Sequence, residues 1–319
     1  MIKKIFKWAG ALVLLIVICI SAVVPFRQNL KYEAPFPDLK ASKDTTIIAR
    51  GKSLVLGAAH CADCHSNANV DSLLESGADV PLAGGFKFGL PVGDIYSRNI
   101  TPDSLTGIGK RTDQELARVL RYGVHANGTA VYEFMPFHNM TDEDLVSVIS
   151  YLRSLKPVRN EVPENSLNVV GNMVKAFMIK PVGPDGEVPK SIKKDTSAAY
   201  GKYLAVSVAN CRGCHTVRDL SGNYTGEPFA GGAAFDEKDG TFIPPNLTPH
   251  FTGRIWQWSQ EAFVARFRTG KVLAGTPMPW NSFKRMSDDE LKAIYNYLQT
   301  IKPVNNATAA TFIPKQDKE

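Results

Sequence analysis

The chain has 319 residues, 44% hydrophobic and 21% charged, proportions that exclude wholesale disorder and fit about two domains. Its formal net charge of +6 does not mark a nucleic-acid binder. Lys3, Lys4, Lys7, Arg27 and Lys31 all precede the first acid, Glu33, and without these five the remainder carries only +1. Five cysteines in a chain this long also exclude a small secreted disulfide scaffold.

The first predicted element is apolar. Residues 8–26 hold no charged side chain, and as a helix they span roughly 28 Å, close to the hydrocarbon thickness of a bilayer. Three lysines precede the run, so the N-terminus is expected to stay cytoplasmic and the rest of the chain to be exported. A cleaved signal peptide shares this basic-then-apolar order. However, Ile20-Ser21-Ala22 makes a poor cleavage site, and Ile18 before Cys19 does not suit a lipoprotein cysteine. An uncleaved anchor is expected, and either reading exports the chain.

The remainder repeats itself. Gly51-Lys52 precedes Cys61 by ten residues, as Gly201-Lys202 precedes Cys211. Ala83-Gly84-Gly85 answers Ala230-Gly231-Gly232, and Asn99-Ile100-Thr101-Pro102 answers Asn246-Leu247-Thr248-Pro249. Arg121-Tyr122-Gly123 answers Arg268-Thr269-Gly270, Met135-Pro136 answers Met278-Pro279, and the stretch from Tyr151 to Val158 answers that from Tyr297 to Val304. Two copies are too few for a solenoid and read as a tandem duplication.

Each copy is predicted to be mainly helical. A helix leads into the cysteines, with Ile47, Ile48, Leu54 and Val55 on its apolar side in the first copy. A Gly/Pro-rich stretch follows, then a helix capped by Thr112 with Glu115 three residues on, whose counterpart starts near Ser259. A last helix begins at Thr141 or Ser287 and stops before Pro157 or Pro303. Between the copies, residues 159–190 hold four prolines and a short apolar helix over Val169–Ile179, expected to pack between domains, with membrane contact as the alternative.

The cysteines carry the chemistry. Cys61-Ala62-Asp63-Cys64-His65 and Cys211-Arg212-Gly213-Cys214-His215 both match Cys-x-x-Cys-His, the attachment pattern of c-type haem. Both thiols fall on one turn, where each can form a thioether, and the adjacent histidine lies where it can serve as proximal iron ligand. From this composition a chance match is expected only ~0.001 times per chain, and a second one in register removes coincidence. Structural zinc needs further Cys or His ligands that the sequence does not supply nearby, and a thioredoxin-like dithiol needs a βαβ pattern that is absent. Cys61, Cys64, Cys211 and Cys214 are therefore the predicted attachment residues for two haem c groups, with His65 and His215 as iron ligands. The sixth ligands are predicted as Met135 and Met278, each before a proline, after the Arg-x-Gly segment and ahead of the last helix. Met140, His138, His125 and His250 are the competing candidates, and neither His125 nor His250 has a histidine counterpart in the other copy.

These residues resemble class I cytochrome c domains. With Asn99-Ile100-Thr101-Pro102-Asp103, Gly107-Ile108-Gly109 and the closing Tyr-Leu-x-Ser/Thr-Leu/Ile-Lys-Pro, they are most similar to the cytochrome c subunits of membrane-bound alcohol, aldehyde and gluconate dehydrogenases. Those subunits usually carry three haems, whereas this chain has two motifs, and here an N-terminal anchor stands in place of a C-terminal membrane contact. The resemblance implies an all-α fold of two tandem class I cytochrome c domains behind a single transmembrane helix. The expected layout is anchor and linker over 1–42, a first domain over 43–160, a connector over 161–190, a second domain over 191–308 and a tail over 309–319. It also implies electron transfer on the periplasmic side of a bacterial inner membrane, between a dehydrogenase or quinol-oxidising complex and a downstream cytochrome or oxidase, with no nucleic-acid partner. The alternative is a di-haem redox enzyme, peroxidase-like or thiosulfate-oxidising, in which one sixth ligand exchanges.

Overall fold

A computed structural model describes residues 2–219, 222–308 and 310–315. Helix α1 (Ile2–Arg27) projects from the body, and its 25-residue stretch Lys3–Arg27 is long and apolar enough to cross a membrane, with none of the window covered by the rest of the chain. The lysines at 3, 4 and 7 extend the helix beyond the predicted apolar run, as good helix formers do.

The two repeats fold alike. In the N-terminal half α2 (Thr45–Ser53), capped by Asp44, runs through a π turn at Leu54–Ala58 into α3 (Cys61–His65). A short helix α4 (Val70–Glu75), a hairpin β1 (Lys87–Leu90) and β2 (Gly93–Tyr96), α5 (Asp113–Tyr122) and α6 (Asp142–Ser154) complete it. The connector supplies β3 (Ser166–Leu167) and α7 (Val169–Phe177). In the C-terminal half α8 (Ala198–Tyr203), the π turn Leu204–Val208 and α9 (Cys211–His215) are followed by the hairpin β4 (Phe235–Glu237) and β5 (Gly240–Phe242). Then come α10 (Gln260–Arg268), a single turn α11 (Trp280–Phe283), α12 (Asp288–Thr300) and β6 (Phe312–Pro314). The expected caps form: Thr112 and Ser287 each close a capping box, and the side chains of Ser259 and Thr141 accept from the third residue on.

The expectation of an all-α fold is corrected by two antiparallel three-stranded sheets, ordered β1-β2-β3 and β4-β5-β6. Each hairpin lies in the Gly/Pro-rich stretch after the cysteines. Its third strand arrives from beyond the last helix of the same half, so β6 falls within the segment expected as a tail. Helix α7 forms within its predicted span but packs on α1 and beside β3 rather than between the halves.

In each half the first helix crosses the last, and a glycine sits at the crossing. A Cβ at Gly51 would lie 1.9 Å from the Ser147 carbonyl oxygen, and one at Gly201 would lie 1.8 Å from that of Ala293. The halves meet through these same helices. Arg50 Nε donates to Asp144 at 2.9 Å and its Nη1 to Glu290 at 2.6 Å, while Tyr203 Oη donates to Asp144 at 2.8 Å. Asp144 is fully buried, so this is a desolvated, hydrogen-bonded ion-pair network.

Candidate functional site

The chain enters each cysteine motif through a left-handed residue, His60 at φ 39° and Asn210 at φ 50°. The turn sets α3 and α9 at an angle to the helices before them, and each short helix carries both thiols and the histidine. The histidines are aimed the same way. His65 Nδ1 lies 2.7 Å from the Arg98 carbonyl oxygen and His215 Nδ1 lies 2.9 Å from that of Pro245. A carbonyl only accepts, so Nδ1 carries the proton and Nε2 keeps its lone pair for a metal. Burial pushes both imidazoles below their ordinary pKa against the opposing carbonyl bond, which keeps them neutral, as a ligand must be.

The repeated motifs build the frame around these rings. Gly84 and Gly231 donate their N–H to the carbonyls of His65 and His215, at 2.8 and 2.9 Å. Both are left-handed, at φ 71° and 73°, and a Cβ on either would stand 2.5 Å from the carbonyl carbon of Arg98 or Pro245. That is the group that orients the histidine, so Ala-Gly-Gly is a cradle for it. Asn99 Nδ2 donates to the Val158 carbonyl at 2.7 Å and Asn246 Nδ2 to that of Val304 at 2.8 Å. Thr101 and Thr248 hydroxyls return a bond by accepting from the N–H of Val158 and Val304, both at 3.1 Å. The Asn-x-Thr-Pro loop therefore knots onto the Lys-Pro-Val that follows the last helix.

The methionine loops are held by the Arg-x-Gly arginines. Arg121 donates to the His138 carbonyl at 3.4 Å and to Asp142 at 2.7 Å. Arg268 donates to the carbonyls of Lys284 at 2.6 Å and Met286 at 2.8 Å, and also to Asp288. Each arginine thus ties the loop after the methionine to the first turn of the last helix. Met135 and Met278 are half-buried against the core, and each carbonyl accepts from the N–H two residues on, at 2.8 Å. Met140 is fully buried and matches Met286, and both lie in the hydrophobic core. His138 Nε2 is engaged by Glu133 at 2.8 Å and His250 Nδ1 by Thr252 at 2.9 Å. His125 is half-buried and burial lowers its pKa.

The thiols complete the donor set. Burial pushes Cys61 and Cys211 up to about 12 and Cys64 up to about 11, the reverse of the depressed thiol in a redox dithiol. None of the four cysteines is in a disulfide, and no group of three or more Cys, His, Asp or Glu placed to hold a metal gathers among the described residues. Structural zinc therefore lacks its further ligands among the described residues, and the raised thiols run against dithiol exchange. Two thiols, a neutral histidine with a free Nε2 and a loop-borne thioether fit a covalently held haem.

The family comparison agrees. Residues 198–302 match the sequence profile of the family described as Cytochrome c. The chain carries a cytochrome c domain. It is 30% identical over 293 residues to the fructose dehydrogenase cytochrome subunit of Gluconobacter japonicus, covering 87% of this chain and 58% of that one. It is likewise 30% identical over 284 residues to the alcohol dehydrogenase (quinone) cytochrome c subunit of Gluconobacter oxydans, covering 82% and 56%. A diheme cytochrome c-type protein of Cereibacter sphaeroides is 23% identical over 261 residues, covering 78% and 84%. The chain thus spans little more than half of the two dehydrogenase subunits.

Sequence reasoning missed three parts of the cytochrome frame. The orienting carbonyls of Arg98 and Pro245 leave no trace in side-chain chemistry. Asn160 and Asn306, which donate to the carbonyls of Ala83 and Ala230 at 2.9 Å each, occupy matching places two residues past the aligned stretch. Helix α11 has no counterpart in the other half and so gave no repeat signal.

Proposed function

We propose that the chain is a membrane-anchored di-haem electron-transfer protein, with one class I cytochrome c domain in each half and α1 as the anchor. The domains take the boundaries 43–160 and 191–308, and the redox partner is a dehydrogenase of the kind the relatives serve or a quinol-oxidising complex. The observation that carries this reading is the duplicated frame, in which two carbonyl-oriented histidines and two arginine-held methionine loops recur in register. Cys61 and Cys64, like Cys211 and Cys214, would hold a haem by thioethers, and His65 with Met135, or His215 with Met278, would bind its iron. A bound haem c supplies the iron whose one-electron cycle carries charge. The carbonyls of Arg98 and Pro245 fix the ring orientation and raise the basicity of each histidine. The arginines fasten each methionine loop to the last helix, and a soft neutral sulfur ligand would favour the reduced state and raise the potential. Two methionine ligands would leave neither half the open position that peroxidase-like chemistry needs.

Haem content and ligand binding test the proposal. The purified chain should contain two covalent haems, and cyanide should leave the spectrum of the oxidised protein unchanged. One haem per chain, or ready cyanide binding with turnover of peroxide or thiosulfate, would overturn it. A dehydrogenase copurifying from native membranes would name the donor.

A further inference from the structure

Helix α7 lies against the end of α1 where that helix meets the body. Arg27 Nε donates to the Ala176 carbonyl at 3.3 Å and its guanidinium covers the Phe177 ring at 5.2 Å. Lys175 Nζ donates to Asn29, and Tyr32 Oη reaches the Ile179 carbonyl. On its other side α7 is seated firmly: Gly171 is buried, and a Cβ there would stand 2.1 Å from the Val92 carbonyl oxygen. The helix is therefore fixed to both the anchor and the body.

What it leaves uncovered is apolar. Val169 is 77% exposed, Val170 58%, Met178 50% and Phe177 44%. Phe26, at the end of α1, is 82% exposed and continues the same surface. Exposed cations border it at Lys31 and Lys180, with Arg27 and Lys175 between. Apolar side chains rimmed by lysine and arginine on a short helix match the composition of an element lying in a bilayer interface. Continuity with α1 names the occupant, because a membrane crossed by α1 ends at this level.

We propose that α7 is an interfacial foot. Val169, Val170, Phe177 and Met178 enter the headgroup–acyl boundary of the phospholipid bilayer that α1 spans, while Arg27, Lys31, Lys175 and Lys180 meet the headgroup phosphates. The foot rests on the reading of α1 as an anchor, and it holds the N-terminal half at a set height above the lipid.

The test uses the full chain in phospholipid nanodiscs with Cys19→Ser, carrying one environment-sensitive fluorophore at Val170→Cys, Leu15→Cys or Val272→Cys. Val272 is 67% exposed on the C-terminal half and reports water. The Val170 fluorophore should be quenched several-fold more by doxyl-labelled phospholipid than by aqueous iodide, as at Leu15 and unlike Val272. A Val170 fluorophore that behaves like the one at Val272, with Leu15 still lipid-quenched, overturns the foot and spares the anchor. An iodide-quenched Leu15 fluorophore overturns both. Protection of Val170 from both quenchers only when a copurified protein is bound assigns the face to that protein and also overturns the foot.

Discussion

The two halves build their histidine sites in the same way and their methionine loops differently. In both, a carbonyl accepts a hydrogen bond from the imidazole Nδ1–H, a glycine pair cradles the motif, and an Asn–Thr knot fastens the chain after the last helix. The loops diverge because four residues lie between Met135 and Met140, whereas seven lie between the equivalent Met278 and Met286. The extra residues form α11, which packs on α10 of its own half and also on the π turn of the other. Ser282, fully buried, donates to Asp63 at 2.6 Å, inside the first Cys-x-x-Cys-His. Phe283 meets the His60 ring edge-on at 5.5 Å, and Arg285 binds the Leu56 carbonyl and Asp71. The proposed ligand loop of one half thus buttresses the attachment motif of the other, and the first methionine loop is instead held locally by Glu133 and His138. Duplication preserved what makes each site and changed what joins them.

The join is broken most severely at Arg50. Arg50→Met leaves Glu290 buried without its cation and Asp144 with only Lys194, 3.9 Å away, and the cost should be about 3–5 kcal/mol, read as a fall in Tm in thermal or denaturant unfolding. The like change at the equivalent Tyr200, Tyr200→Phe, should cost far less. Next in size, Gly51→Ala and Gly201→Ala should each destabilise by roughly 3 kcal/mol, since backbone must move to admit the Cβ. Equal losses would show that the helix crossings are equivalent in energy as well as in shape.

Smaller effects separate the loops. Met278→Ala should leave two covalent haems and lower one reduction potential, and Met135→Ala should lower the other, as followed by redox titration. Ser282→Ala should cost about 1 kcal/mol and disturb the potential of the N-terminal site, although the residue belongs to the C-terminal half. No reciprocal residue in the first methionine loop should act this way. A pH series checks the network last. Burial alone would raise the Asp144 carboxyl, but the bonds from Arg50 and Tyr203 hold it below its ordinary 3.8. Its stabilisation is therefore complete above about pH 4 and lost as pH falls through the depressed value, so Asp144→Asn should flatten the acid limb of the stability curve.

Much of this was legible in the sequence because covalent attachment demands local spacing. The cysteine motifs, the helix caps at Thr112 and Ser287 and the register of the repeats all depend on neighbours in the chain. The sheets were not legible. Strands of two to four residues are too short to show alternation, and each sheet closes with a strand some 70 residues away. The orienting carbonyls were hidden for another reason, as any residue supplies one, and only the fold decides that Arg98 and Pro245 do. Helix α7 was found but misplaced, because its apolar face says what it buries in and not where that lies.

The Arg50 network also decides which copy pairs with which. Arg50 and Tyr200 occupy matching positions, as do Asp144 and Glu290, so the duplicated faces have become complementary rather than identical. Two C-terminal halves placed face to face would bring two Glu290 carboxylates together with no guanidinium between them. Two N-terminal halves would set one Arg50 against another. Each face therefore rejects its own likeness, so an N-terminal half is matched to a C-terminal half and like-with-like pairing is disfavoured.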